Sequence, residues 1–272
     1  MSVLLTLLMA ATVLDESFEA AATAYDRGNY ADAITVLEVL VSEGVAEPEV
    51  FYNLGNAYYR SGLLAHAIAN YERALQLDPQ LEEARENLNT CIRQTERGLS
   101  KPQPPEWEQS LLFWHDNLRR DTSLKLAVLA WCLLWALLAL RQLRRTPYLR
   151  RSALAMGLLT ALFAASAWAK SNPQQLAVAA HPGLPVRYGM SDSETVRFEL
   201  YEGDRVVIDR RDQGWARVET SSGERGWTRD EYLVFVGPPY EAPSYRWTGT
   251  VPLNEDPDRP LQGVLPQKDA SK

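Results

Sequence analysis

With two cysteines, three histidines and no known catalytic signature, this 272-residue chain has little reactive chemistry to offer. Cys91 lies near the end of a helical stretch and Cys132 in the middle of a long apolar run, so neither a disulfide framework nor a CxxC motif is implied. His66, His115 and His181 stand singly, without metal-ligand spacing and without an HExxH pair. A Gly-rich phosphate loop and a GxSxG elbow are also missing. Carboxylate pairs such as Glu82-Glu83 and Asp230-Glu231 are neighbours in sequence and read as solvated, not as an opposed acid and base. These absences argue against an enzyme, and they call for no cofactor and no metal.

The net charge of -7 is unevenly distributed. Acidic residues spread over the polar parts, whereas Arg141, Arg144, Arg145, Arg150 and Arg151 crowd a connection, residues 141–151, between two apolar runs at 122–140 and 152–169. Each run is long enough to cross a hydrocarbon core as a helix. A basic cluster between two spans fits a cytoplasmic loop under the positive-inside bias better than a nucleic-acid site, so a lipid bilayer is an expected partner and nucleic acid is not. Beyond Lys125 neither run contains an ionisable residue, and no ion path is visible. Trp131 and Trp135 lie one turn apart and are expected to pack on the second span, whose Ala153, Gly157, Ala161 and Ala165 form a small-residue stripe suited to holding the hairpin together.

Residues 1–14, MSVLLTLLMAATVL, are too short to span a bilayer and stop before Asp15-Glu16. They read as the h-region of a secretory signal lacking a positive n-region, or else as an apolar helix packing on the helical stretch that begins after Asp15. Two spans with a short connection place both flanking regions on one side. The leader and the Arg-rich loop together put that side outside the cytoplasm of an inner (plasma) membrane, which is the periplasm in a Gram-negative envelope.

From residue 15 to 98, apolar and Ala positions recur at helical spacing, with breaks near Gly28, Gly44–Pro48, Gly62 and Pro79. Within 48–81, Phe51, Leu54, Gly55, Tyr58, Ala67, Tyr71, Ala74 and Pro79 fall at the spacing of the tetratricopeptide repeat, and the stretch resembles that family. Small residues sit where two antiparallel helices approach, and aromatics fill the gap between them. Shifting by the repeat period superposes Gly28 on Gly62 and Ala33 on Ala67, so residues 14–47 read as a degenerate first repeat with Ala20-Ala21 where the second has Leu-Gly. The segment after Pro79 reads as a capping helix with Leu81, Ala84, Leu88 and Ile92 on one stripe. Two repeats and a cap fall below the usual three-repeat minimum, and self-association or docking on a partner would supply the missing burial. Tyr52, Asn56 and Tyr59, with Asn53 beside them, lie on the face that lines the groove in such solenoids. There Asn can bond a peptide backbone while Tyr buries side chains; an ordinary polar-aromatic surface is the alternative.

Residues 99–121 form a linker that begins SKPQPP and ends in a juxtamembrane segment with Trp107, Leu111, Leu112 and Trp114. After Pro173 the period changes to short alternating runs separated by Gly, Pro, Asp and Ser, which predicts a small all-β module over 176–236. This part resembles the bacterial SH3-like fold in Val186-Arg187, Gly203, Val206-Val207, Gly214-Trp215, Val218, Gly223, Gly226-Trp227 and Tyr232-Leu233. The resemblance implies a barrel of about sixty residues with a ligand surface at Tyr188, Trp215 or Trp227, unless both tryptophans are core. Residues 237–272 read as a Pro-rich disordered tail, whose Tyr240, Tyr245 and Trp247 could fold back on the barrel.

The expected class is therefore a multi-domain membrane protein: all-α tetratricopeptide hairpins, a two-helix transmembrane anchor and a small all-β SH3-like barrel. That order of parts resembles the BatE-type proteins of the aerotolerance (Bat) group. The resemblance implies a scaffold for an envelope complex with membrane proteins carrying von Willebrand A domains and a MoxR-type ATPase. Two other functions stay open: a wall anchor holding peptidoglycan peptides in the SH3-like part, and a sensor of a small ligand.

Overall fold

The computed structural model describes residues 16–103, 112, 114–144, 146–171, 173–238 and 240. The leader at 1–14, Trp107, Leu111, Arg145, Tyr245, Trp247 and the tail beyond 240 lie outside these. The described chain divides into two compact units, one holding the helical repeats and the sheet and the other holding 104–173 with the short stretch 77–80.

In the first unit, helices α1 (16–26), α2 (Tyr30–Ser42), α3 (Pro48–Arg60), α4 (Leu64–Leu77) and α5 (Glu82–Gln94) succeed one another through short turns. Proline at the first position of α3 suits a helix start, where no backbone donor is needed. The turns ending α1 and α3 are copies of each other. Gly28 and Gly62 have φ of 78° and 76°, the left-handed conformation that glycine adopts without strain. Gly28 N–H donates to Tyr25 O and Asn29 N–H to Ala24 O, while Gly62 N–H donates to Tyr59 O and Leu63 N–H to Tyr58 O, all between 2.9 and 3.0 Å.

Packing within the helices centres on Phe51, Leu54, Ile68 and Tyr71, all 2% exposed or less. A Cβ placed on Gly55 would lie 2.7 Å from the Tyr71 ring, so glycine is what lets α3 and α4 approach there. Cys91 on α5 is buried, and burial pushes its thiol up to about 12. It is therefore expected to resist maleimide in the native protein and to react fully once urea unfolds the helices, as mass spectrometry of the labelled peptide would record.

The rest of this unit is one antiparallel sheet of seven strands: β1 (Leu176–Ala179), β2 (Leu184–Arg187), β3 (Val196–Leu200), β4 (Arg205–Asp212), β5 (Trp215–Glu219), β6 (Arg225–Arg229) and β7 (Leu233–Phe235). A one-turn 3-10 helix, Asp230–Tyr232, precedes β7. The strand order is β3-β2-β6-β5-β4-β1-β7. Leu200 at one end of that order and Phe235 at the other nonetheless share one apolar cluster with Ala177, Val186, Val206 and Val218. Laid flat, seven strands would be about 29 Å wide, so the sheet must coil strongly to bring its ends to a common core. No pairing joins β3 to β7 among the described residues, so the sheet is coiled but not closed. The SH3-like barrel is thus reduced to an open antiparallel sheet.

The second unit contains α6 (Arg120–Leu143) and α7 (Pro147–Ser171), both long and apolar enough to cross a membrane. Their contact differs from the sequence expectation. Ser123, Ala127 and Ala130 of α6 and Ala153, Ser166 and Ala167 of α7 are the buried residues. Of the predicted stripe only Ala153 is buried; Ala161 and Ala165 are exposed, and nothing lies within 4 Å of a Cβ added to Gly157. Trp131 and Trp135 meet edge-on at 5.7 Å and are about half exposed. A buried hydroxyl pair lies in the contact instead: Ser123 Oγ and Ser166 Oγ are 3.3 Å apart, and side chains of this kind join packing as glue between apolar helices. Trp114 packs edge-on against Phe163 at 5.6 Å. Arg141, Arg144, Arg150 and Arg151 lie exposed around the 144–146 connection.

Candidate functional site

The face of α3 that carries Tyr52, Asn56 and Tyr59 is set by the helical repeat. Phe51, Leu54, Gly55 and Tyr58 turn inward, which leaves residues one and five positions along half-buried on the other side. Asn53 is half-buried as well. Its amide donates to the Glu49 carbonyl of its own helix at 2.9 Å.

Asn56 is held in one orientation. Its Oδ1 accepts the Tyr71 hydroxyl at 2.7 Å and the Asn87 amide of α5 at 2.9 Å. Two donors on one oxygen fix which end of the amide is which, so the amino group is the end left to donate. Burial pushes the Tyr71 phenol well above its ordinary range, which keeps it a donor at any ordinary pH. Gln94 donates to the Tyr59 hydroxyl at 2.8 Å, and the Tyr52 ring lies 6.2 Å from that of Tyr71. At the other edge Tyr25 and Tyr30 pack edge-on at 5.2 Å, and Arg60 donates twice to the Tyr30 hydroxyl, at 3.0 and 2.8 Å. The result is a strip of tyrosines interrupted by one oriented amide, a surface that can stack side chains and bond a backbone carbonyl.

Sequence reasoning missed Tyr25, Arg60, Asn87 and Gln94. Tyr25 had a signal, since it stands one repeat period before Tyr59. The others had none, because their part depends on how α5 and α2 lie against α3.

On the sheet, Trp215 pairs with Arg229, and Arg217 with Trp227, across β5 and β6. All four point away from the apolar cluster, to which Ala216 and Val218 contribute. Arg229 covers Trp215 at 4.3 Å and Arg217 lies 5.9 Å over Trp227. Trp215 is thus buried beneath a guanidinium and not within the core, and Trp227 is half-buried on the same face. Tyr188 is 63% exposed with Arg197 above it at 5.4 Å. Of these three aromatics, only Trp215 borders a cleft of about 580 Å³, whose other walls include His181, Arg187, Asp192, Arg229 and Tyr232. The His181 and Tyr232 rings are 5.5 Å apart, and Arg229 pairs with Asp192, which holds that carboxyl below its ordinary range.

Among the described residues no three metal-ligating side chains come together. Residues 48–81 match the tetratricopeptide repeat family, a noncatalytic fold that serves protein–protein interaction. No curated protein matches the chain.

Proposed function

We propose that this protein is a membrane-anchored, noncatalytic adapter. Its helical repeats capture an extended segment of a partner protein, and α6 and α7 tether them to an inner membrane. The reading rests on the Asn56 amide between Tyr52 and Tyr59, whose oxygen is already occupied by two donors and whose amino group is left to donate within a strip of tyrosines. The Arg-rich connection between the two apolar helices supports a cytoplasmic turn with both soluble parts on the extracytoplasmic side. The order of parts, as in BatE-type proteins, supports membrane proteins with von Willebrand A domains as the partners and an envelope complex as the product.

The test is capture of crosslinked partners by full-length protein purified from its native membrane. Tyr52→Ala with Asn56→Ala is expected to reduce capture at least tenfold without lowering the helical circular-dichroism signal. Capture that stays at the wild-type level would move the site off α3.

A second reading is favoured by the cleft beside Trp215. Its mix of Arg187, Asp192 and aromatic walls suits a short zwitterionic peptide such as a wall stem peptide. Arg187→Ala with Tyr232→Ala is expected to abolish retention on purified sacculi if the protein is a wall anchor. Absence of retention by the wild type would dismiss that function.

A further inference from the structure

Two helical hairpins and a fifth helix are short of the stack that usually supports such repeats, and the chain itself supplies the missing surface. The turn between β3 and β4, Tyr201-Glu202-Gly203-Asp204, enters the end of the helical array. Gly203 is so close that a Cβ there would lie 2.3 Å from Thr95 Cγ2 and 3.0 Å from Ile68 Cδ1. Asp204, wholly buried, receives the Leu99 N–H at 3.1 Å and pairs with Arg97. Arg205 N–H donates to the Leu99 carbonyl at 3.3 Å. On α4, Glu72 is 1% exposed and binds Arg205 at 2.8 Å through one oxygen and Lys101 at 3.2 Å through the other. Its neighbour Arg73 donates to the Phe235 carbonyl at 2.6 Å. Beyond β7, Tyr240 lays its ring 4.7 Å from that of Phe51.

These contacts lie mainly on α4, on Thr95 just past α5 and on residues 97–101. They leave the Tyr52 and Tyr59 face of α3 open. Buried charges engaged from both sides, a backbone bond from Arg205 to Leu99, the Leu99 N–H on the Asp204 carboxylate and a glycine against a helix-end side chain describe a permanent packing surface, unlike a loose encounter of two tethered domains.

We infer that the sheet acts as the terminal cap of the repeat array, standing where a further repeat would stack. It is then a stabilising partner of the peptide-binding helices, which depend on it, while the sheet is held by its own apolar cluster. This holds whether or not α3 binds a partner.

Hydrogen exchange measured by mass spectrometry on the full-length protein in mild detergent tests it, with one wedge placed on each side of the contact. Gly203→Val enlarges the sheet's turn, and Thr95→Trp enlarges the helix end while leaving the sheet sequence intact. Both are expected to speed exchange of the α4 and α5 amides at least tenfold, along with those of 201–205, while β5 and β6 in the Thr95→Trp protein keep wild-type protection. Faster exchange confined to 201–205, with α4 and α5 unchanged, overturns the cap. So does wild-type exchange everywhere in both variants, because the helices would then not depend on these contacts. Loss of protection throughout the sheet in Thr95→Trp would also overturn it, since the dependence would run the other way.

Discussion

Gly55→Val is expected to destabilise the helical repeats by about 3 kcal/mol, at the upper end of what overpacking a core costs. The added Cβ alone meets three atoms of the Tyr71 ring at 2.7, 2.8 and 3.1 Å. That ring is wholly buried, and its hydroxyl is tied to Asn56, so it has neither room nor freedom to turn aside. Gly55→Ala is expected to cost less. Replacing glycine inside a helix gains about 1 kcal/mol of helix propensity, and this offsets part of a steric penalty of similar size. Displacing the Tyr71 hydroxyl should also remove one of the two donors that orient the Asn56 amide, so Gly55→Ala should weaken partner capture even while folded. Urea denaturation monitored at 222 nm measures the stabilities, and combining Gly55→Val with Tyr71→Leu should recover more than half of the loss. A double variant as unstable as Gly55→Val alone would place the clash elsewhere.

The helical repeats should lose stability as pH falls below neutrality, through His66. This side chain is 3% exposed on α4, its ring 5.0 Å from that of Tyr58. Burial, helped by the nearby Arg73 charge, lowers its pKa to about 3. The unfolded chain takes up the proton near pH 6.5 while the native protein does not, so the stability from a neutral His66 is full above that pH and drains away as pH drops toward 3. Between pH 7 and pH 4 the loss amounts to about 3 kcal/mol. In His66→Leu the loss over the same interval should shrink by about that amount, whatever the variant's stability at pH 7. Glu72 behaves differently. Burial by itself would raise its carboxyl, but Lys101 and Arg205 outweigh burial and hold it below its ordinary value. Its contribution is present above pH 4.5 and fades only in stronger acid. Parallel pH profiles for wild type and His66→Leu would remove His66 as the acid-sensitive group.

The repeat was legible in the sequence because it is local. Gly28 and Gly62, Gly55 against Tyr71, and Pro48 at a helix start each satisfy a backbone or packing demand within one hairpin, and the chain writes such demands at fixed spacing. The two long apolar helices were legible from composition, and the all-β character of 176–236 from alternation. Rotation and contact were not. The side of α7 that meets α6 carries Ser166, which only the folded hairpin brings to Ser123, and of the small-residue stripe Ala161 and Ala165 are left exposed. The tryptophans of β5 and β6 could be assigned to core or surface only once the register set Trp215 opposite Arg229 and Arg217 opposite Trp227. The meeting of Glu72 with Arg205 joins residues far apart in the chain across the end of the helical array. Local periodicity records which face of an element is apolar, whereas the partner of that face is chosen by the free energy of the whole packed arrangement, so only the tertiary structure could show it.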